Sequence, residues 1–465
     1  MGKDEWMNKR NIKFILLIVL ITLFLIGMLI FYSSKTEEQG QNVNKITTTV
    51  MSVGNNALTV QDNNHVIYTF AIDGGDIDVG DIIELEYVGE LNKNVDLQDI
   101  QVINYSSVNV TEDEDGIPDD WQDNGIFSDF YIQANEKLKE MVLEEKISQI
   151  LLVRYPDSNG MIILQENQFG GYVFFERDFQ NKSSKQVKSM MNSLQNVAKI
   201  PILTAVDEEG GKVVRVSSNP KLMSEPFKSS KELYLSGGFE AIKKDTVEKS
   251  GILYNLGLNV NLAPVVDVAT DSSAYMYGRT LGEDTATTAT YAKTVIGASK
   301  GTSVSYTLKH FPGYGNNKDT HEGEVTDERS YDEIVKNDLP PFEAGIDAGA
   351  EAVLVSHNIV NSIDSENPAS LSPSVHNLLR NELGFTGIII TDDLAMGAVS
   401  NVEAATVKAV LAGNDLIITT DYAKSIDSIK TAIQNKTIDA RLVDKLAFRV
   451  IAWKYYKGLM VDNQK

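Results

Sequence analysis

The sequence predicts an α/β fold, a closed (β/α)8 barrel of the TIM type, and three observations carry that expectation. The chain has 465 residues, more than one average domain and suited to a large barrel with a small appendage. Eight short apolar, β-rich runs recur at 149–154, 172–175, 202–207, 260–266, 303–309, 352–357, 387–391 and 415–420, their starts roughly 38 residues apart. Helical patterns fill the gaps, as where Val187, Met190, Met191, Leu194 and Val197 fall on one face. The methionines in that stripe read as core. The runs are too uniformly apolar to be half-exposed, as expected for strands covered on both faces by helices. Leu442, Leu446 and Val450 predict a closing helix. The barrel is assigned to 129–465, and such a barrel presents its active site at the C-terminal ends of its strands.

Three elements precede it. Residues 14–32 form a run of 19 residues without a charge, about 28 Å long as a helix and enough to cross a hydrocarbon core as a transmembrane signal anchor. Lys9, Arg10 and Lys13 come before it, and Glu37 and Glu38 outweigh Lys35 after it. That asymmetry places residues 1–13 in the cytoplasm and the remaining chain outside, on a single-pass anchor in the cell membrane. The competing reading is a cleaved signal peptide, whose apolar core is roughly 7–15 residues and ends at a small-residue cleavage site; the run here is longer and no clear site follows.

Residues 43–110 read as a small all-β domain, a five-stranded barrel or sandwich with runs at 46–53, 57–60, 66–72, 82–88 and 100–105. Its Tyr68, Phe70 and Tyr87 suit either a ligand-stacking face or, more simply, the domain's core. A spacer or protein-contact role follows for the domain. Residues 111–128 are an acidic linker in which carboxylates two residues apart stand before Gly116, a spacing that resembles a calcium loop. With Gly116 placed sixth, however, the first ligand would be Thr111 and the twelfth Gln122, so the strongest carboxylate positions are missing. A solvated linker is the favoured reading, with Ca2+ as the alternative.

With 42 basic against 65 acidic residues the formal charge is -23, which repels phosphate backbones and argues against nucleic acid as a partner. Cysteine is absent, so disulfides, thiolate catalysis, zinc–cysteine sites and a cysteine-linked lipid anchor are excluded.

The chemistry concentrates between Lys309 and His321, where Lys309-His310-Phe311-Pro312-Gly313-Tyr314-Gly315 is followed by a polar spacer and Asp319-Thr320-His321. Pro312 removes a backbone donor while Gly313 and Gly315 admit φ > 0, so the segment leaves strand or helix and presents its polar side chains. The Asp-x-His spacing lets a tight turn bring carboxylate and imidazole together, fixing the tautomer as a proton shuttle requires. Charged residues also interrupt the apolar runs at the predicted rim: Asp207 after the third, Lys309 and His310 after the fifth, His357 after the sixth and Asp392 after the seventh. One such residue alone is more simply a cap or an ion-pair partner; several converging point to a site. His65 and His376 look incidental. No His-Glu-x-x-His pattern occurs and Lys309 would repel a cation beside His310, so neither a metal nor a cofactor is expected.

From about residue 140 to 457 the chain resembles family 3 glycoside hydrolases of the single-domain β-N-acetylglucosaminidase type. The landmarks are Leu143-Glu144-Glu145-Lys146-Ile147-Ser148-Gln149, Asp207-Glu208-Glu209-Gly210-Gly211-Lys212-Val213-Val214-Arg215, residues 261–268, Arg279-Thr280-Leu281-Gly282-Glu283-Asp284, the 309–321 loop and Thr391-Asp392-Asp393-Leu394-Ala395-Met396. The resemblance implies that Asp392 attacks the anomeric carbon, that His321 protonates the leaving oxygen with Asp319 behind it, and that configuration is retained. It further implies that Asp207, Arg215, Arg279, Lys309 and His310 hold the hydroxyls and acetamido group of the sugar. If 388–391 is a strand, Asp393 points away from the side that Asp392 faces. Two departures stand out: Tyr314 replaces the histidine usual in this loop, and Lys212 stands where arginine is common.

The expectation is an outward-facing, membrane-tethered exo-hydrolase removing terminal β-linked N-acetylglucosamine from cell-wall peptidoglycan fragments. The alternatives are a β-glucosidase or β-xylosidase of the same family, and a non-catalytic wall-binding protein in which the small β-domain does the work.

Overall fold

The computed structural model describes residues 112–461 continuously and, before them, five strands with a few flanking residues between 43 and 107. The predicted anchor at 14–32 and the cytoplasmic residues 1–13 lie outside the described residues. Among the described residues no helix is long and apolar enough to cross a membrane.

The five strands of the small domain are β1 (Val43–Gly54), β2 (Ala57–Asp62), β3 (Ile67–Phe70), β4 (Ile82–Val88) and β5 (Gln101–Ser107), joined antiparallel in the order β3-β2-β1-β4-β5. Strand β4 alternates buried and half-buried residues, and its Ile83 and Leu85 join Val50, Leu58, Val60 and Phe70 in a separate small core. Phe70 and Tyr87 are buried, and the Tyr68 hydroxyl donates to Asp62 Oδ2 at 3.2 Å, so these aromatics build the domain rather than an open stacking face.

The barrel contains all eight predicted strands: β6 (Leu151–Arg154), β7 (Gly171–Phe174), β8 (Leu203–Val206), β9 (Val260–Asn261), β10 (Ser305–Phe311), β12 (Ala352–Val355), β14 (Ile388–Thr391) and β15 (Ile417–Thr419). They pair in parallel in the order β14-β12-β10-β9-β8-β7-β6-β15, and a bridge between Ile390 and Leu416 closes the ring. The ladder of β9 is shorter than the apolar run 260–266 suggested. Pro264 has no N–H to give, and beyond Asn261 the chain keeps to β10 through looser contacts, the Thr307 N–H to the Ala263 carbonyl at 2.8 Å and the Val266 N–H to the Lys309 carbonyl at 2.8 Å, with Val265 opposite Lys309. A second small sheet, β11 (Thr326–Asp327) against β13 (Ile359–Val360), receives the chain as it returns from the 309–321 loop.

The N-terminal ends of the strands form a closed floor. There the helix Ala440–Tyr456 buries Leu446, Phe448, Val450 and Trp453, and its polar side chains plug the strand starts. Lys454 Nζ donates to Gln149 Oε1 at 2.6 Å, ahead of β6. Trp453 Nε1 donates to Glu351 Oε2 at 2.9 Å, ahead of β12. Arg449 bonds the Gly387 carbonyl at 3.0 Å, ahead of β14, and lies 3.0 Å from Asp415.

The acidic linker keeps most of its carboxylates exposed, as expected, but is anchored to the barrel at several points. Asp113 Oδ1 accepts from the N–H groups of Asp115 and Ile117 at 2.9 Å each, Asp120 pairs with Arg441, and Asp123 pairs with Arg449 at 2.7 Å. Ile117 and Trp121 are buried beneath it. Asp113, Asp120 and Asp123 thus have protein partners, Lys139 Nζ donates to the Gly116 carbonyl at 3.4 Å, and among the described residues no three His, Asp or Glu side chains cluster as a metal would need. The calcium alternative finds no support in this geometry.

Candidate active site

A cavity of about 420 Å³ opens at the C-terminal rim, lined by Asp207, Arg215, Arg279, Lys309, His310, His321 and Asp392. Seven of the eight sequence-predicted site residues therefore meet in one place. The eighth, Asp319, stands behind His321, with Oδ1 2.6 Å from its Nδ1 and accepting the His321 backbone N–H at 2.9 Å.

Each strand end contributes by a local reason. Asp392 directly follows β14, where its N–H donates to the Val355 carbonyl of β12 at 3.0 Å. Lys309 and His310 lie near the end of β10, where the register against β12 is interrupted between Lys309 and Phe311. Such an irregularity re-aims successive side chains, and both turn toward the cavity. Gly313 and Gly315 adopt φ of 125° and 55°, as the sequence anticipated. A side chain at Gly313 would also collide with Asp338, its Cβ falling 2.4 Å from Asp338 Cβ.

The cations and carboxylates interlock. Lys309 Nζ lies 2.7 Å from both Asp207 Oδ1 and Glu209 Oε1. Arg279 meets Glu209 through Nη2 at 2.7 Å and Nε at 3.1 Å, a two-point contact that sets the guanidinium plane. His310 Nδ1 lies 2.8 Å from Asp267 Oδ2, and its Nε2 is 3.5 Å from Arg279 Nη2. Burial opposes every charge here, yet the paired groups prevail: Glu209 is held well below the usual carboxylate range by Arg279 and Lys309, and Lys309 is raised by Asp207 and Glu209. Beside them Arg154 and Arg215 lie 4.2 Å and 5.7 Å from the centre of the Phe175 ring, on the rim of the same cavity.

The adjacent acids Asp392 and Asp393 are driven apart. Burial works against ionising Asp392, but His357, His310, the Asp393 N–H at 2.8 Å and Lys309 hold its pKa below the ordinary value. Burial dominates at Asp393 and pushes its pKa up, with the Ala395 N–H and Arg154 only partly offsetting it. For Asp319 burial again opposes, but its bonds to His321 pull it below the usual range. An ionised Asp319 accepts from Nδ1–H and leaves His321 Nε2 for a ligand.

His357 does not line the cavity. It is fully buried, with Nδ1 2.7 Å from Ser370 Oγ and Nε2 3.0 Å from the Asp393 carbonyl, so it steadies the turn after β14. His376 is buried with Nδ1 2.8 Å from the Ser372 carbonyl, away from the site, and His65 lies outside the described residues. Sequence reasoning gave no role to Glu209, Asp267, Arg154 or Phe175. Glu209 stands two residues after Asp207, a spacing that lets both face one side, and this was the available signal; Asp267 had none beyond its place near a strand end.

A closed parallel barrel whose rim presents an ionised aspartate and a carboxylate-backed histidine over a sugar-sized cavity defines a glycoside hydrolase. Residues 142–453 match the family model described as the glycosyl hydrolase family 3 N terminal domain. The chain is 31% identical over 308 residues to a β-hexosaminidase of Stenotrophomonas maltophilia (strain K279a), covering 64% of this chain and 89% of that one. In structure it resembles a glycoside hydrolase family 3 β-N-acetylglucosaminidase from Paenibacillus sp. str. FPU-7, with a TM-score of 0.64 and 26% identity over 70% of this chain and 65% of that one, just under two thirds of its length. A glycosyl hydrolase of the same family from Mycobacterium smegmatis aligns with a TM-score of 0.60 and 27% identity over 68% of this chain and 98% of that one. The chain belongs to glycosyl hydrolase family 3.

Proposed function

We propose that the protein is a retaining exo-β-N-acetylhexosaminidase that removes terminal β-linked N-acetylglucosamine, from peptidoglycan fragments outside the cell membrane. The observation that carries the reading is the opening of Asp392 and the Asp319–His321 pair onto one cavity. Relatives named β-hexosaminidase support the sugar, and the apolar run at 14–32 supports a tethered, outward placement.

In the first step Asp392 attacks the anomeric carbon and the C1–O bond breaks. His321 Nε2–H gives its proton to the departing oxygen, and a glycosyl ester on Asp392 results. In the second, His321 takes a proton from water, the oxygen attacks C1, and the ester bond opens to restore the carboxylate. Asp319 stays ionised throughout and holds the ring. Asp207, Arg215, Arg279, Lys309 and His310 grip the sugar; the Glu209 carboxylate, by locking Arg279 and Lys309 together, sets their spacing.

Proton NMR of the first-formed sugar tests the reading. The expected product from an aryl β-N-acetylglucosaminide is the β anomer, and an α product would sink the covalent route. Faster turnover of the matching aryl β-glucoside would instead move the enzyme to the glucosidase alternative.

A further inference from the structure

The 309–321 loop carries an internal clasp. Tyr314 is 2% exposed, and its ring packs with Val265, Ala269 and Met276 in a small cluster separate from the barrel core. Its edge meets the His310 ring, centroids 5.6 Å apart at 69°. Its N–H donates to Asp267 Oδ1 at 2.8 Å, so the carboxylate that holds His310 also holds the root of the loop. The hydroxyl then reaches six residues onward: it accepts the Thr320 N–H at 2.9 Å and donates to Thr320 Oγ1 at 2.9 Å.

Thr320 sits between Asp319 and His321 and is 1% exposed. Its carbonyl in turn accepts the Ala398 N–H at 3.0 Å, and a Cβ at Gly397 would fall 2.6 Å from the His321 carbonyl. The residue between the two members of the proton-transfer pair is therefore gripped from one side by a phenol and from the other by the segment that follows Asp392. A buried hydroxyl that satisfies one donor and one acceptor of a single residue fixes that residue's position and orientation together.

We propose that Tyr314 is a positioning residue for proton transfer: its hydroxyl clasps Thr320 and so holds the Asp319–His321 pair over the cavity before any substrate arrives. The inference rests on the reading of His321 as the acid/base. Removing the hydroxyl frees the loop to move and leaves Thr320 without those partners, while the ring keeps its packing.

The test is Tyr314→Phe assayed on aryl β-N-acetylglucosaminides with a strongly acidic and a weakly acidic phenol as leaving group. Every loss is read in kcat/KM, which reports the first step alone: the expected result is a fall of about tenfold or more with the poor leaving group and under about threefold with the good one. In a His321→Ala background Tyr314→Phe should cost nothing further, because the ring it positions is gone. Thr320→Ala, which deletes the hydroxyl's acceptor and spares the phenol, should give the same leaving-group pattern at smaller size, and carries the test if Tyr314→Phe does not fold. An equal loss on both leaving groups, or a full extra loss in the His321→Ala background, overturns the proposal and leaves Tyr314 as a packing residue. If His321→Ala itself shows no leaving-group dependence, the acid/base reading has failed instead, which keeps the two claims separable.

Discussion

At the rim of the barrel, Arg215, Asp392 and Nε2 of His321 keep atoms turned to an open cavity, whereas at the floor Lys454, Glu351 and Arg449 are tied to neighbours on the strand starts. Both ends bury charge. At the rim, partial pairing leaves a site able to exchange protein contacts for a substrate's. At the floor, Glu351 alone is engaged by Trp453, Lys457 and Ser305. The lesson is that burial of charge does not by itself mark function; what marks it is a charged group whose partners leave one face unoccupied.

The strongest way to break this contrast is Asp392→Ala. Turnover should fall by a factor on the order of 10⁴ or more while the melting temperature stays level or rises, because a buried charge is removed from a site not built for stability. A loss of fold would show that the rim, too, is structural. Arg449→Met is the mirror experiment: it takes one partner each from Asp415, Asp123 and two backbone carbonyls, and should cost about 3–5 kcal/mol by denaturant unfolding with kcat unchanged in the folded enzyme. A change in kcat larger than in stability would mean that the floor reaches the chemistry.

A pH experiment sharpens the same contrast. Burial draws the Lys454 pKa from its usual 10.5 down to about 7. Between those values the unfolded chain binds the proton and the native one does not, so stability should climb as pH rises from about 7 toward 10. Lys454→Met should flatten that climb, as followed by urea midpoints, and an unaltered slope would remove Lys454 as its source. At the rim the sign differs in kind: with Asp392 held below its ordinary 3.8, the acid limb of the kcat/KM profile assigned to it should fall below about pH 4. The smallest effect belongs to Asp113→Ala in the linker, about 1 kcal/mol of stability and no change in activity.

Much of this was legible before folding. The eight strands announced themselves as apolar runs; of the seven candidates that line one cavity, Asp207, Lys309, His310 and Asp392 were recognisable at strand ends, His321 by its spacing from Asp319, and Arg215 and Arg279 only through the family resemblance. The length of β9 was not, since Val265 and Val266 are as apolar as Val260 and only the missing N–H of Pro264 marks the break. Glu209 escaped because its meaning depends on Lys309, a hundred positions away, and Arg279, seventy away. Lys454 escaped for the opposite reason: a lysine near the end of a helix reads as a surface charge, and nothing local reports that Gln149 awaits it. The anchoring of the linker escaped because its partners, Arg441 and Arg449, come from the far end of the chain.

That strap has a geometric consequence. Asp123 meets Arg449 beside the start of β14, and the Ile126 N–H bonds Thr386 there, so the polypeptide joins the barrel at its sealed base. The described chain from residue 112 thus meets the barrel from behind, and the sugar-sized opening looks the other way. A saccharide that approaches this opening head-on therefore does not meet residues 112–126.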